Sequence, residues 1–122
     1  MKNILIIDDE KDLCFFVKAN LELSGDYKVA FETDGEKGIK SAQRNKPDLI
    51  LLDIMMPKFD GFEVLRRLKE DPHTMTIPVI MLSALGDDDS KIKASELYNE
   101  DYIVKPVEIY VLKSKINNIL SR

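Results

Sequence analysis

Asp8, Asp9, Asp53, Ser83 and Lys105 each stand at the end of a short apolar run. Ile4-Leu5-Ile6-Ile7 leads into Asp8-Asp9, and Leu49-Ile50-Leu51-Leu52 leads into Asp53. Val79-Ile80-Met81-Leu82 leads into Ser83, and Tyr102-Ile103-Val104 leads into Lys105-Pro106. Three carboxylates, a hydroxyl and an ammonium at matching places form a chemical set. Two like charges ~4 Å apart repel by roughly 1 to 4 kcal/mol at effective dielectrics of about 80 to 20, so a fold tolerates such a cluster when a cation neutralises it. Mg²⁺ suits it, because that ion takes oxygen ligands, keeps several waters and often shares one or two carboxylates with a phosphate. A carboxylate can also be a nucleophile and carry phosphate as an acyl phosphate. Lys105 and the metal would then offset charge on the phosphoryl oxygens while Ser83 donates a hydrogen bond. Each residue also fits a plainer role: Asp8-Asp9 as a helix cap, Asp53 as a turn residue, Lys105 as a surface cation. Their convergence favours the chemical reading.

That convergence depends on the elements between them. Continuous apolar runs separated by helical patterns read as buried parallel strands. In a parallel sheet the carboxyl ends share one edge, where ligands bind. Lys11 to Ser24 has helical spacing, with Leu13, Phe16, Val17 and Leu21 expected inside and Lys11, Cys14, Phe15, Lys18 and Glu22 outside; Gly25-Asp26 ends it. Tyr27 to Thr33 alternates as a strand, Gly35 to Asn45 reads as a polar helix, and Met55 to Gly61 as a loop. Phe62 to Glu70 is amphipathic and stops before Pro72. Asp87-Asp88-Asp89-Ser90 opens a helix to about Tyr98, and Asp101 to Val104 is the last strand. Val107 to Leu120 is a helix with Val111, Leu112, Ile116, Ile119 and Leu120 on its buried side. Strands alternating with helices predict an α/β fold: a doubly wound, five-stranded parallel sheet forming a single domain over residues 1–122.

Composition excludes other classes. With 122 residues and 44% hydrophobic content, the chain can bury one core without disulfides or structural metal. No apolar stretch approaches the ~20 residues of a membrane span, and Met1-Lys2-Asn3 does not open a signal peptide. Cys14 has no partner for an internal disulfide, which fits a reducing, cytoplasmic setting. A net charge of −4 argues against a direct nucleic-acid surface, which needs a basic stripe.

Asp8-Asp9, Leu51-Leu52-Asp53-Ile54-Met55-Met56-Pro57 with Asp60-Gly61, Ser83-Ala84 and Lys105-Pro106 together resemble the receiver domain of bacterial two-component response regulators, chemotaxis-regulator-like in form, over essentially the whole chain. The resemblance implies a flavodoxin-like (βα)5 topology with strand order 2-1-3-4-5. It implies that Asp53 accepts a phosphoryl group from a sensor histidine kinase or histidine phosphotransfer protein. Asp8, Asp9, Asp53 and the backbone carbonyl of Met55 would hold Mg²⁺, with Ser83 and Lys105 contacting the phosphoryl group. Lys105-Pro106 would be a cis bond. Ser83 and Tyr102 would form the switch, Tyr102 turning inward as Ser83 moves toward phosphate, to signal to an output domain or effector protein. By the same resemblance the domain is not an enzyme in the ordinary sense, catalysing only its own phosphorylation and dephosphorylation, and is a monomer or a phosphorylation-dependent dimer. Met55 and Leu85 would flank the line of water attack and prolong the phosphoryl state.

Rival readings fail on quoted residues. An aspartyl-nucleophile phosphohydrolase needs a second Asp two residues after the nucleophile, where Met55 stands. A flavin module needs a first loop rich in Ser, Thr and Gly, and Asp8-Asp9-Glu10 would repel phosphate there. A scaffold without phosphorylation has no use for the intact acid, Ser and Lys set.

Overall fold

Each apolar run alternates between two cores. Ile4, Ile6, Leu49, Leu51, Ile80 and Leu82 face one side of the sheet, and Leu5, Ile7, Ile50, Leu52, Val79 and Met81 face the other. Both faces are covered, which is why the runs are continuously apolar. Burying one such aliphatic side chain stabilises the fold by about 1.5 to 3 kcal/mol. The computed structural model describes residues 1–84 and 100–122. The expected helix opening at Asp87-Asp88-Asp89-Ser90, and Leu85, lie outside the described residues.

The chain runs β1 (Lys2–Ile7), α1 (Lys11–Glu22), β2 (Tyr27–Glu32), α2 (Gly35–Asn45), β3 (Leu49–Asp53), β4 (Met55–Met56), β5 (Phe59–Asp60), α3 (Gly61–Glu70), β6 (Val79–Ser83), β7 (Asp101–Val104) and α4 (Ile109–Leu120). The parallel sheet has the order β2-β1-β3-β6-β7, which is 2-1-3-4-5 when only its five strands are counted. The chain leaves β1 toward β2 and returns on the other side as β3. The carboxyl ends of β1 and β3 therefore meet at a topological switch point, where a crevice opens. Helices α1 and α4 pack on one face, through Cys14, Val17, Leu21, Leu112, Ile116 and Ile119. Helices α2 and α3 cover the other, through Ile39, Ala42, Val64, Leu65 and Leu68.

The inward stripe of α1 is phased differently from the expectation. Cys14 is fully buried and Phe16 is exposed, while Phe15 lies outside as expected. The reason is room: the Cys14 Sγ sits 3.5 Å from the Asp8 carbonyl oxygen, where a small side chain fits and a phenyl ring does not. Phe15 instead sets its ring edge-on to Phe31, with centroids 5.1 Å apart. Two further expectations shift. The stretch read as a loop after Asp53 contains a small antiparallel hairpin, pairing Met55 with Asp60 and Met56 with Phe59 around Pro57-Lys58. The last helix begins at Ile109, two residues late: Lys105-Pro106 is cis, as expected, and Val107 is buried in the core ahead of the helix. Val111 is only half-buried on it.

Candidate functional site

Register brings the run ends together. Ile7 pairs with Leu52 and Asp53 with Leu82, so Asp8 lies one step beyond β1, alongside Asp53. Ser83 pairs with Val104, which puts Lys105 one step beyond β7. Backbone bonds continue the ladder past the strands: Asp8 N donates to Glu32 O at 3.1 Å, Ile54 N to Leu82 O at 3.0 Å, and Lys105 N to Ser83 O at 2.6 Å. The site is thus held by sheet backbone. Gly61 closes it from below, its N donating to Ile54 O at 2.6 Å. A Cβ on Gly61 would overlap the Asp53 carbonyl oxygen and reach 2.6 Å from the Ile54 Cα, a close approach that only glycine allows. Asp60 then caps α3, its carboxylate accepting from Phe62 N at 2.9 Å.

Asp8, Asp53 and Ser83 are buried, whereas Asp9 is exposed. Neither Asp8 nor Asp9 caps α1: Glu10 holds the cap position without a side-chain bond, and Asp8 Oδ1 instead accepts from Glu10 N at 2.9 Å. The Lys105 ammonium stands 3.0 Å from Asp8 Oδ2, 3.4 Å from Asp53 Oδ1 and 2.8 Å from Glu10 Oε1. Met55 N lies 3.4 Å from Asp53 Oδ1, and the Met55 side chain is exposed. Tyr102 sits on β7 opposite Met81, with its side chain turned outward.

Charge is unbalanced here. Burial, and then the neighbouring Asp8 charge, push the Asp53 carboxyl up from 3.8 to about 7 against the pull of Lys105. Burial also raises Asp8, opposed by the Glu10 amide and by Lys105. For Lys105, burial would lower the value, but the hydrogen bond to Glu10 and the close carboxylates of Asp8 and Asp53 outweigh it and raise it. Burial and Asp8 push the Cys14 thiol beneath the site up to about 12, which leaves it a neutral packing group.

The donor set fits a hard dication. Asp8, Asp9 and Asp53 each offer a carboxylate oxygen, all within 4.8 Å of one another. Asp8 Oδ2 is buried and accepts no hydrogen bond among the described residues; the Lys105 ammonium is close but not aligned to donate. A buried carboxylate oxygen left in this way is a ready ligand for Mg²⁺. Asp8, Asp9, Asp53 and Lys105 therefore converge, with Ser83 at the end of the adjacent strand and Tyr102 turned away, and Glu10, which no motif singled out, joins them through Lys105.

Known proteins share this sequence pattern and fold. Residues 4–117 match the family model described as the response regulator receiver domain. The chain is 43% identical over its whole length to the DNA-binding dual master transcriptional regulator RpaA of a Synechocystis species, and covers 50% of that protein. It spans about half the length of the curated relatives it matches. A putative response regulator from Chloroflexus aurantiacus superposes with a TM-score of 0.89 at 33% identity, over 99% of this chain and 98% of that one. The receiver domain of sensor histidine kinase PA1611 from Pseudomonas aeruginosa, solved with a magnesium ion coordinated in its active site cleft, superposes with a TM-score of 0.87 at 25% identity, over 99% of this chain and 98% of that one. No helix among the described residues is long and apolar enough to cross a membrane. With this fold, this acid cluster and these relatives, the chain belongs to the response regulator receiver domain family of two-component signalling.

Proposed function

We propose that Asp53 is the phosphoacceptor of this receiver domain, and that a histidine kinase or histidine phosphotransfer protein on the cytoplasmic side is the donor. The carrying observation is a buried carboxylate at the switch point, flanked by two more acids and an ammonium. An Asp53 oxygen forms a bond to phosphorus as the bond from phosphorus to the donor imidazole breaks. The imidazole leaves neutral when its second nitrogen carries a proton. Asp8, Asp9, Asp53 and the Met55 carbonyl would hold Mg²⁺, which when bound supplies positive charge that keeps Asp53 ionised and offsets the phosphoryl oxygens. Lys105 provides the cation and Ser83 the hydroxyl donor. The chemistry is confined to the domain's own phosphorylation and dephosphorylation.

The added phosphoryl group brings roughly −1.5 to −2 charge and biases a two-state element. Ser83 shifts toward Asp53 and the outward Tyr102 turns in, remodelling the β7 face for an output domain, an effector or a second copy. Intact mass after incubation with acetyl phosphate tests the acceptor: an adduct forms with Mg²⁺ and is lost in Asp53→Asn or in chelator. Amide spectra of the same samples should change around Ser83 and Tyr102. An adduct that persists in Asp53→Asn, or spectral changes confined to α1 and α2, would overturn the reading.

A further inference from the structure

Lys105 is shared among three carboxylates whose settings differ. Asp8 is fully buried and Asp53 nearly so, whereas the Glu10 side chain is 59% exposed. The exposed one makes the shortest contact, at 2.8 Å, with hydrogen-bond geometry. The contact to Asp53, where the phosphoryl group would sit, is the longest of the three at 3.4 Å. An ammonium on a flexible stem swings readily between acceptors. Any movement of the ammonium toward a group carried by Asp53 competes with its contact to Glu10, its outermost partner. Glu10 is also placed to do this reliably, since its backbone N donates to Asp8 Oδ1 and locks the loop that carries it.

Resting on the proposed phosphoacceptor role of Asp53, we infer that Glu10 is a positioning residue for Lys105. It draws the ammonium outward in the unphosphorylated domain and thereby sets how readily Lys105 engages the phosphoryl group. Glu10 acts as a brake on the switch. An ion pair with one exposed partner is modest and screened by salt, so the brake is worth about a two- to fivefold change in an equilibrium constant. The buried Asp8 contact is screened much less, so salt loosens the Glu10 pair selectively.

Beryllium fluoride with Mg²⁺, titrated by amide spectra, is the probe. At low ionic strength Glu10→Gln should bind it about two- to fivefold more tightly than wild type, and the gap should close at high ionic strength. Glu10→Asp, which keeps the charge but withdraws it by a methylene, should fall between the two. Asp12→Asn removes an equal charge from the first turn of α1 and controls for the general field. Equal binding by wild type and Glu10→Gln overturns the inference. So does a gain that survives high salt undiminished, or an equal gain in Asp12→Asn. Failure of wild type to bind the probe at all would overturn the phosphoacceptor reading, and the brake with it.

Discussion

Among the described residues, two places gather three or more charged side chains within ion-pair distance, and they are built on opposite plans. At the carboxyl edge of the sheet, Asp8, Glu10 and Asp53 surround the Lys105 ammonium, and Asp9 lies beside Asp8 and Asp53. On α3, Arg67 forks across to Glu36 of α2 at 2.7 and 2.9 Å, while Arg66 binds Glu70 at 2.7 Å and also Glu63 within α3 itself. The first cluster is largely buried, has an excess of one sign and is fixed by backbone. The second is exposed, more nearly balanced and fixed by long side chains. Their carboxyls move in opposite directions: burial raises Asp53 and Asp8, whereas the guanidinium partners lower Glu36 and Glu63. A cluster that its own protein leaves uncompensated is open to completion from outside, and the proposed function assigns that part to a divalent cation and then phosphate. A compensated one only ties two helices together.

The largest effect should come from the backbone that holds the acid cluster. Gly61→Ala forces a methyl group into the Asp53 carbonyl and the Ile54 backbone, neither of which can rotate away. Overpacking of this kind costs about 3 kcal/mol, and here the displaced backbone is that of the proposed phosphoacceptor itself. Denaturant unfolding should show that loss, and acetyl phosphate labelling of the folded fraction should fall with it. A substitution that leaves both unchanged would mean that the site is held by side chains after all.

How much of this was legible in the sequence follows from what each feature needs. The buried strands announce themselves because both faces are covered, so Asp8, Asp53, Ser83 and Lys105 stand out where the apolar runs stop. The phase of α1 was not legible: Leu13 and Phe16 outweigh Cys14 by apolar area, yet it is the small thiol that sits beneath the Asp8 carbonyl. Two-residue strands such as β4 and β5 carry no period to read. Glu10 escaped because a third acid after Asp8-Asp9 looks like more of the same. Its signal was arithmetic, one acid more than the metal cluster uses and one lysine to share.

The next effect has the unusual sign. In metal-free protein Asp53→Asn removes a buried like charge, so it should abolish phosphorylation yet raise stability by roughly 1 to 2 kcal/mol at pH 8. The pH dependence gives the same answer by another route. A folded carboxyl raised from 3.8 to about 7 binds more protons than its unfolded counterpart across that window. Metal-free stability should therefore fall as pH rises from about 4 to about 7, by linkage. Added Mg²⁺ should restore stability in wild type and do less in Asp53→Asn, as expected when a ligand binds only the folded state. Thermal unfolding in chelator and in Mg²⁺ checks all three. A wild type that is most stable near pH 8 without metal would remove the contrast between the clusters.

The smallest effect belongs to the balanced network. The Arg67–Glu36 pair is bidentate and charge-assisted, which favours specific geometry. Both side chains remain over a third exposed, however, so water and salt compete for them. The two helices are also held without the pair, because Ile39 and Ala42 of α2 and Val64, Leu65 and Leu68 of α3 are buried in one core. Arg67→Ala should accordingly lower the unfolding midpoint only slightly at low salt and leave phosphorylation of Asp53 intact. A double-mutant cycle with Glu36→Ala isolates the pair from the packing of the arginine stem. Its coupling should be small and should vanish as salt is added. A coupling as large as the loss from Gly61→Ala, or one that salt does not touch, would show that this network is fixed as firmly as the acid cluster. Opposite responses to salt, magnesium and pH would show instead that only the uncompensated cluster was built to be completed by a ligand.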